Sequence, residues 1–233
     1  MFSLATESYT DDAVLKLLMK SRTIRFEYML FDNGDRFLGM LSDCSGTISQ
    51  NSQDDIACTG SFTLKENELS DINTADERLV PVFCLLAPTG EWLKYELGRY
   101  VLSSPVRSSN GGAVYRSVEA YDQTIILTED KAASRVLIRA GQPYTNAVLA
   151  ILSQAGILQT KVEYSALQIP VDLEFEIGTP KLVIINYLLK AINFVPLYFD
   201  AKGYACSRPY IEPIQRKIDR SFAGRSKSGR GSA

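Results

Sequence analysis

The chain has 233 residues, a formal net charge of −2, 22% charged and 45% hydrophobic residues. That length allows one large domain or two small ones, each with a core of its own, and the balance excludes a disordered chain, a polybasic nucleic-acid binder and a basic membrane-surface protein. There is no histidine, which excludes Ser-His-Asp and Cys-His nucleophile systems and zinc sites built on histidine.

Asp11 to Lys20 predicts a short amphipathic helix. Thr10 can cap it, Asp11 and Asp12 suit its positive end, and Val14, Leu17 and Leu18 share a face. Arg22 to Leu41 predicts a hairpin. Ile24, Phe26, Tyr28 and Leu30 alternate with Arg25 and Glu27, and Asn33-Gly34 supplies the positive-φ residues of a type I′ turn. Ser42 to Ser61 is polar with short strand-like pieces, Phe62 and Leu64 mark another strand, and Glu66 to Arg78 reads as an acidic loop. Leu79 to Leu86 is a strand whose Pro81 suits a strand start or an edge. Glu91 to Leu97 and Arg99 to Arg107 follow, with Gly98 as a bulge or bend, and Asn110-Gly111-Gly112 turns into Ala113 to Tyr121.

Beyond this antiparallel β region the pattern changes. Pro143 to Ala155 predicts a helix with Ala147, Val148, Ile151 and Leu152 on one face and Gly156 as its left-handed stop. Val171 to Ile177 alternates as a strand, Thr179-Pro180 opens a second, buried helix, and Leu197 to Ser207 forms a closing hairpin around Ala201-Lys202-Gly203. The predicted organisation is an N-terminal arm and short helix over 1–21, an antiparallel β-barrel domain over 22–131, an α/β portion with the closing hairpin over 132–220, and a Gly/Ser-rich flexible tail over 221–233. The cysteines Cys44, Cys58, Cys84 and Cys206 have no CxxC spacing and predict free thiols of a reducing cytoplasm. No apolar run reaches the ~18 residues of a membrane span, and MFSLATESYTDD lacks the basic and apolar regions of a secretory signal.

Four patterns carry a chemical reading beside a structural one. Asp172, Glu174 and Glu176 line one strand face, as an acid/base or metal cluster would, and as a solvated strand face does. Asp32-Asn33-Gly34-Asp35 looks faintly like a calcium loop but lacks the later bidentate glutamate, which favours a plain hairpin turn. Ser108 to Gly112 (SSNGG) resembles a phosphate-cradling loop, but a strand follows it rather than a helix, with no lysine. Trp92, Tyr95, Tyr100, Tyr115 and Tyr121 can form a stacking or sugar platform, or core and cross-strand pairs. None singles out a catalytic, cofactor-binding or metal-ligating residue, and no cofactor is expected.

The segments LGRYVLSSP (97–105), VEAYDQTIIL (118–127), IRAGQPYTNAVLAIL (138–152) and INYLLKAINFVPLYFDAKGY (185–204) resemble, in wording and order, the hub protein of long bacteriophage tails. Related folds occur in contractile-tail baseplate hubs and in the spike protein of type VI secretion. The resemblance covers roughly residues 20–215. It implies an α+β fold, mainly antiparallel β, with tail-tube-like β-barrel domains and a mixed α/β portion carrying two helices.

It further implies a structural, non-enzymatic role at the virion tail tip, in a protein synthesised in the host bacterial cytoplasm. Three copies would form a ring joining the tail tube to the threefold tip and surrounding the channel. The implied partners are the chain itself as a homotrimer, the distal tail protein ring, the tail tube and tape-measure protein, tip or fibre proteins, and DNA in transit, with no membrane span. Many relatives continue into further domains, whereas this chain stops soon after Tyr210; a truncated fragment and a minimal hub both fit. Two other classes remain open from the residues alone: a carboxylate-based glycan hydrolase, which needs no histidine, and a carbohydrate-binding β module with aromatics along a groove.

Overall fold

The computed structural model describes residues 4–51, 54–65, 76–103, 106–110 and 113–215. Residues 66–75 of the predicted acidic loop Glu66–Arg78, the Gly111-Gly112 tip and the tail at 221–233 lie outside these residues.

Helix α1 (Asp11–Leu18) starts where predicted, with the Thr10 hydroxyl accepting from the Ala13 N–H at 3.4 Å. Its buried Val14 packs against Leu85, Ala87, Leu93 and Tyr95, and the Tyr95 hydroxyl donates to the Leu4 carbonyl at 2.9 Å. The arm is thereby docked on one end of the sheet.

That sheet contains β1 (Ile24–Phe31), β2 (Phe37–Leu41), β3 (Cys44–Gln50), β4 (Cys58–Lys65), β5 (Arg78–Leu86), β6 (Trp92–Glu96), β7 (Tyr100–Leu102), β8 (Val106–Asn110) and β9 (Ala113–Asp122). Its order is β2-β1-β5-β7-β9-β4-β3, with β6 on β5 and β8 on β9, and the pairs are antiparallel. The two ends of this path, β2 and β3, are separated in the chain by Ser42 and Asp43 alone. Such a link spans at most about 11 Å, so the sheet must curl until its ends meet. Tyr28, Leu30, Leu41, Cys44, Ile48, Phe62, Leu64, Leu79, Tyr100, Leu102, Val118 and Ala120 fill the single interior. The α+β, mainly antiparallel class is what the structure shows. The expected barrel, however, is open: among the described residues no ladder joins β2 to β3, and a bent strand completes the circuit covalently.

Local chemistry explains the irregular points. β6 and β7 follow one another along β5, with a first break at Leu97–Arg99. Gly98 takes φ +132 at the first break, a value suited to glycine. Pro81 lies in a central strand rather than at the predicted start or edge. It sits where β5 changes partner from β7 to β6, and its carbonyl accepts from the bulged Leu97 N–H at 2.9 Å. A ladder donor is not needed at that point. The β1–β2 turn also differs from the type I′ expectation: Asp35 takes the positive φ, at 66°, while the Asp32 carboxylate accepts from Gly34 and Arg36 N–H groups at 2.9 and 2.8 Å.

A second core lies downstream. Helices α2 (Thr124–Glu129), α3 (Tyr144–Gln154) and α4 (Lys181–Ala191) bury Leu127, Val148, Leu152, Ile185, Leu188 and Leu189. Gly156 stops α3 at φ +78, as read from the sequence. At α4 the proline occupies the cap, and the Thr179 hydroxyl donates back to the Glu176 carbonyl instead of capping. Two small sheets flank the helices. β10 (Val136–Ile138) pairs with β12 (Leu173–Phe175), a shorter strand than predicted, and β11 (Thr160–Val162) runs parallel to β14 (Ala205–Ser207), which also pairs with β13 (Tyr198–Phe199).

Candidate interaction surfaces

The structure disperses the residues that carried chemical readings. Asp172 accepts from the Ala140 N–H at 2.8 Å and from Arg139 at 3.1 Å, which holds its carboxyl below the usual range. Glu174 and Glu176 both face Arg135, at 3.5 and 4.0 Å. The row is therefore a charge-compensated face of the β10–β12 ribbon, with no free carboxylate pair. The Asp32–Asp35 segment is a turn whose carboxylate is spent on backbone N–H groups. Ser108 to Asn110 lie in the β8–β9 ladder, with no helix following. Among the described residues, no cluster of three or more His, Cys, Asp or Glu is placed to hold a metal ion. No helix there is long and apolar enough to cross a membrane. All four cysteines are free thiols, and burial pushes Cys58, Cys84 and Cys206 up.

The aromatics divide between core and surface. Tyr100 is fully buried and edge-on to Phe62 at 5.9 Å, and burial pushes its phenol up. Tyr95 stacks towards Phe83, and Trp92 carries the Arg25 guanidinium 4.2 Å above its ring. Tyr121 is on the outer face, its hydroxyl donating to Glu119 at 2.7 Å.

A polar clasp joins the open barrel to the closing hairpin, and sequence reasoning missed it. Arg99, in the β6–β7 bulge, is 10% exposed; it lies 4.9 Å over the Phe31 ring and pairs with Asp35 and, at 3.8 Å, Glu96. The hairpin tip fits against it: the Gln123 amide donates to the Gly203 carbonyl at 3.3 Å. Within the hairpin, Asp200 accepts from Lys161 at 2.7 Å and from the Lys202 and Tyr204 N–H groups. Burial raises the Glu96 carboxyl. Burial also acts on Asp200, but Lys161 and the turn N–H groups outweigh it and hold that carboxyl low. Two carboxyls pushed apart resemble an acid/base pair in direction. Arg99 and Gln123 pack against the hairpin tip at Gly203.

The remaining surface features are strand edges and outward faces. On the outer face of β3, β4 and β9, Thr47 stands opposite Ser61 and Ser49 opposite Thr59, and Ser61 and Thr59 stand opposite Glu119 and Tyr121. These side chains line a shallow groove of about 300 Å³. It holds one carboxylate, already bonded to Tyr121, where hydrolysis of a glycan requires two. Helix α4 exposes Val183 and Tyr187, with Tyr187 edge-on to Phe175 at 5.5 Å.

No protein-family model matches the chain, and no curated protein sequence matches it. Solved structures do. The tail protein from Neisseria meningitidis MC58 superposes with a TM-score of 0.53 at 11% identity, over 78% of this chain and 50% of that one. The 43 kDa tail protein of prophage MuSo2 from Shewanella oneidensis gives 0.53 at 14% identity, over 79% of this chain and 56% of its own. The lidded Francisella PdpA–VgrG complex gives 0.51 at 12% identity, over 88% of this chain and 31% of the matched one. This chain spans about half the length of the two tail proteins it matches. Likeness at such identities is likeness of fold: this chain has the fold of phage tail proteins.

Proposed function

We propose that this chain is a structural hub subunit of a long phage tail, which assembles into a homotrimeric ring at the tail tip. The ring joins the tail tube and the distal tail ring to the threefold tip and surrounds the channel through which the genome leaves. The observation that carries the reading is the superposition of most of the chain on two tail proteins, one of them from a prophage, and on a chain of a VgrG complex. The site geometry agrees with it. Charged side chains that sequence alone left open as catalytic are engaged in neutralising pairs, and the features left over are strand edges and outward faces. The role is mechanical, and the proposed partners are the tube, the tape-measure protein, the distal ring and tip or fibre proteins.

Light scattering across a dilution series tests this. A closed trimer, alone or on addition of a distal tail protein, is the expected result. A monomer at every concentration, with and without that partner, overturns the reading.

A further inference from the structure

Among the described residues β3 pairs with β4 alone, in unbroken register from Cys44 to Gln50. One contact reveals which way its backbone groups point. The Asn51 N–H turns towards β4 to meet the Ala57 carbonyl at 2.8 Å, one residue beyond the Gln50–Cys58 pair of the ladder. Alternate residues of an antiparallel strand present N–H and C=O to the same side. Thr47 and Ser49 therefore bond to β4, and Ile48 and Gln50 direct both groups outward, where no strand of the described residues meets them. Proteins ordinarily blunt such an edge with a bulge, a charge or a proline. β2 has a register break between Leu30 and Phe31 of its partner, and β6 carries Lys94, paired with Glu27 at 2.8 Å. β3, with the sequence CSGTISQ, has none of these devices.

At the opposite end of the run β3-β4-β9-β8, among the described residues, strand β8 pairs with β9 alone. Directions alternate along this run, so β3 and β8 are antiparallel to each other. We propose that the outward edge of β3 pairs with the β8 edge of a second copy, head to tail, so that one antiparallel sheet runs from copy to copy. A rotated copy presents β8 to β3 in the antiparallel sense, without reversal. Head-to-tail contacts close into a ring when the rotation closes, and closure removes the exposed edges. The inference rests on the ring reading and names the contact that would build it.

Amide hydrogen exchange on the full chain tests the contact without mutation. On passing from dilute monomer to assembly, the Ile48 and Gln50 amides become protected, while Thr47 and Ser49 are protected in both. Equal exchange of Ile48 and Gln50 in the two states overturns the contact and leaves the ring standing. Gln50→Pro removes one outward N–H and leaves the β4 ladder intact; it is expected to weaken association about tenfold or more, with Gln50→Ala unchanged. Association of Gln50→Pro equal to that of the parent also overturns the contact. A chain that stays monomeric at every concentration, with and without a distal tail protein, overturns contact and ring together.

Discussion

Gly203→Ala measures how tightly the closing hairpin is clasped to the barrel, because the chain contains its own control. Gly203 and Gly178 have nearly the same backbone conformation, φ +80 and +84. A Cβ on Gly178 meets nothing within 4 Å, whereas a Cβ on Gly203 lies 2.6 Å from Arg99 Cδ and 2.7 Å from Gln123 Nε2. Gly178→Ala therefore carries only the left-handed backbone cost of about 1 kcal/mol. Gly203→Ala carries that cost plus an overpacking cost of about 1–3 kcal/mol. Gln123 can swing aside, but it loses its bond to the Gly203 carbonyl. Arg99 cannot swing freely, because it is buried over Phe31 and tied to Asp35 and Glu96. The expected losses are about 1 and about 2–4 kcal/mol. Urea unfolding followed by the fluorescence of the single tryptophan, Trp92, reads both. Equal losses for the two variants would refute the clasp, since the close approach at Gly203 would then cost nothing.

A Cβ on Gly46 would lie 2.3 Å from Phe62 Cδ1 and 2.6 Å from the Ser61 carbonyl oxygen. Gly46→Ala should cost about 2–3 kcal/mol in denaturant unfolding; Gly39→Ala, with open space around it, should be near neutral, and a neutral Gly46→Ala would contradict the packing of Phe62. Asp200→Asn should lower stability at neutral pH by about 1 kcal/mol, because the Lys161 pair is lost. The Asp200 carboxyl lies below its ordinary 3.8 in the folded chain. Its contribution is therefore complete above about 3.8 and disappears as pH falls through the lower folded value. Thermal melts of parent and variant should converge in acid; a gap that stays constant down to that range would remove Asp200 from the clasp.

The long alternating strands and the α3 helix were legible because their periods are carried by side chains: Tyr28 and Leu30 on β1, Val118 and Ala120 on β9, Val148 and Leu152 on α3. β3 and the start of β4 were less so: Ser42 to Ser61 reads as polar with only short strand-like pieces. The inward positions there are Gly46 and Gly60, which leave room for Phe62 instead of marking a hydrophobic face themselves. Pro81 misled for a related reason: a rule about ladder donors is suspended where the neighbouring strand is bulged. The six-residue α2 is too short for a helical period to register against the strand-like wording of VEAYDQTIIL. The clasp was invisible because Asp35, the Glu96–Arg99 pair, Gln123 and Asp200 are far apart in the chain and meet only in the folded molecule.

How the molecule allocates its polar groups bears on its role. Arg135, Arg139, Lys161 and Lys181 each meet a carboxylate, from Glu174, Asp172, Asp200 and Asp130. The Asp172 and Asp200 carboxyls, so bonded, are held below their ordinary range, which makes them poor proton acceptors. Main-chain groups are treated differently. Among the described residues, no strand meets the outward N–H and C=O of Ile48 and Gln50. An enzyme scaffold gains nothing from such an edge and risks aggregation through it. In the ring proposed above it has a use, because an interface between identical copies can be built from unsatisfied main-chain groups. Chemistry neutralised within the chain, with hydrogen-bonding capacity left open at its margin, is the distribution an assembly component requires.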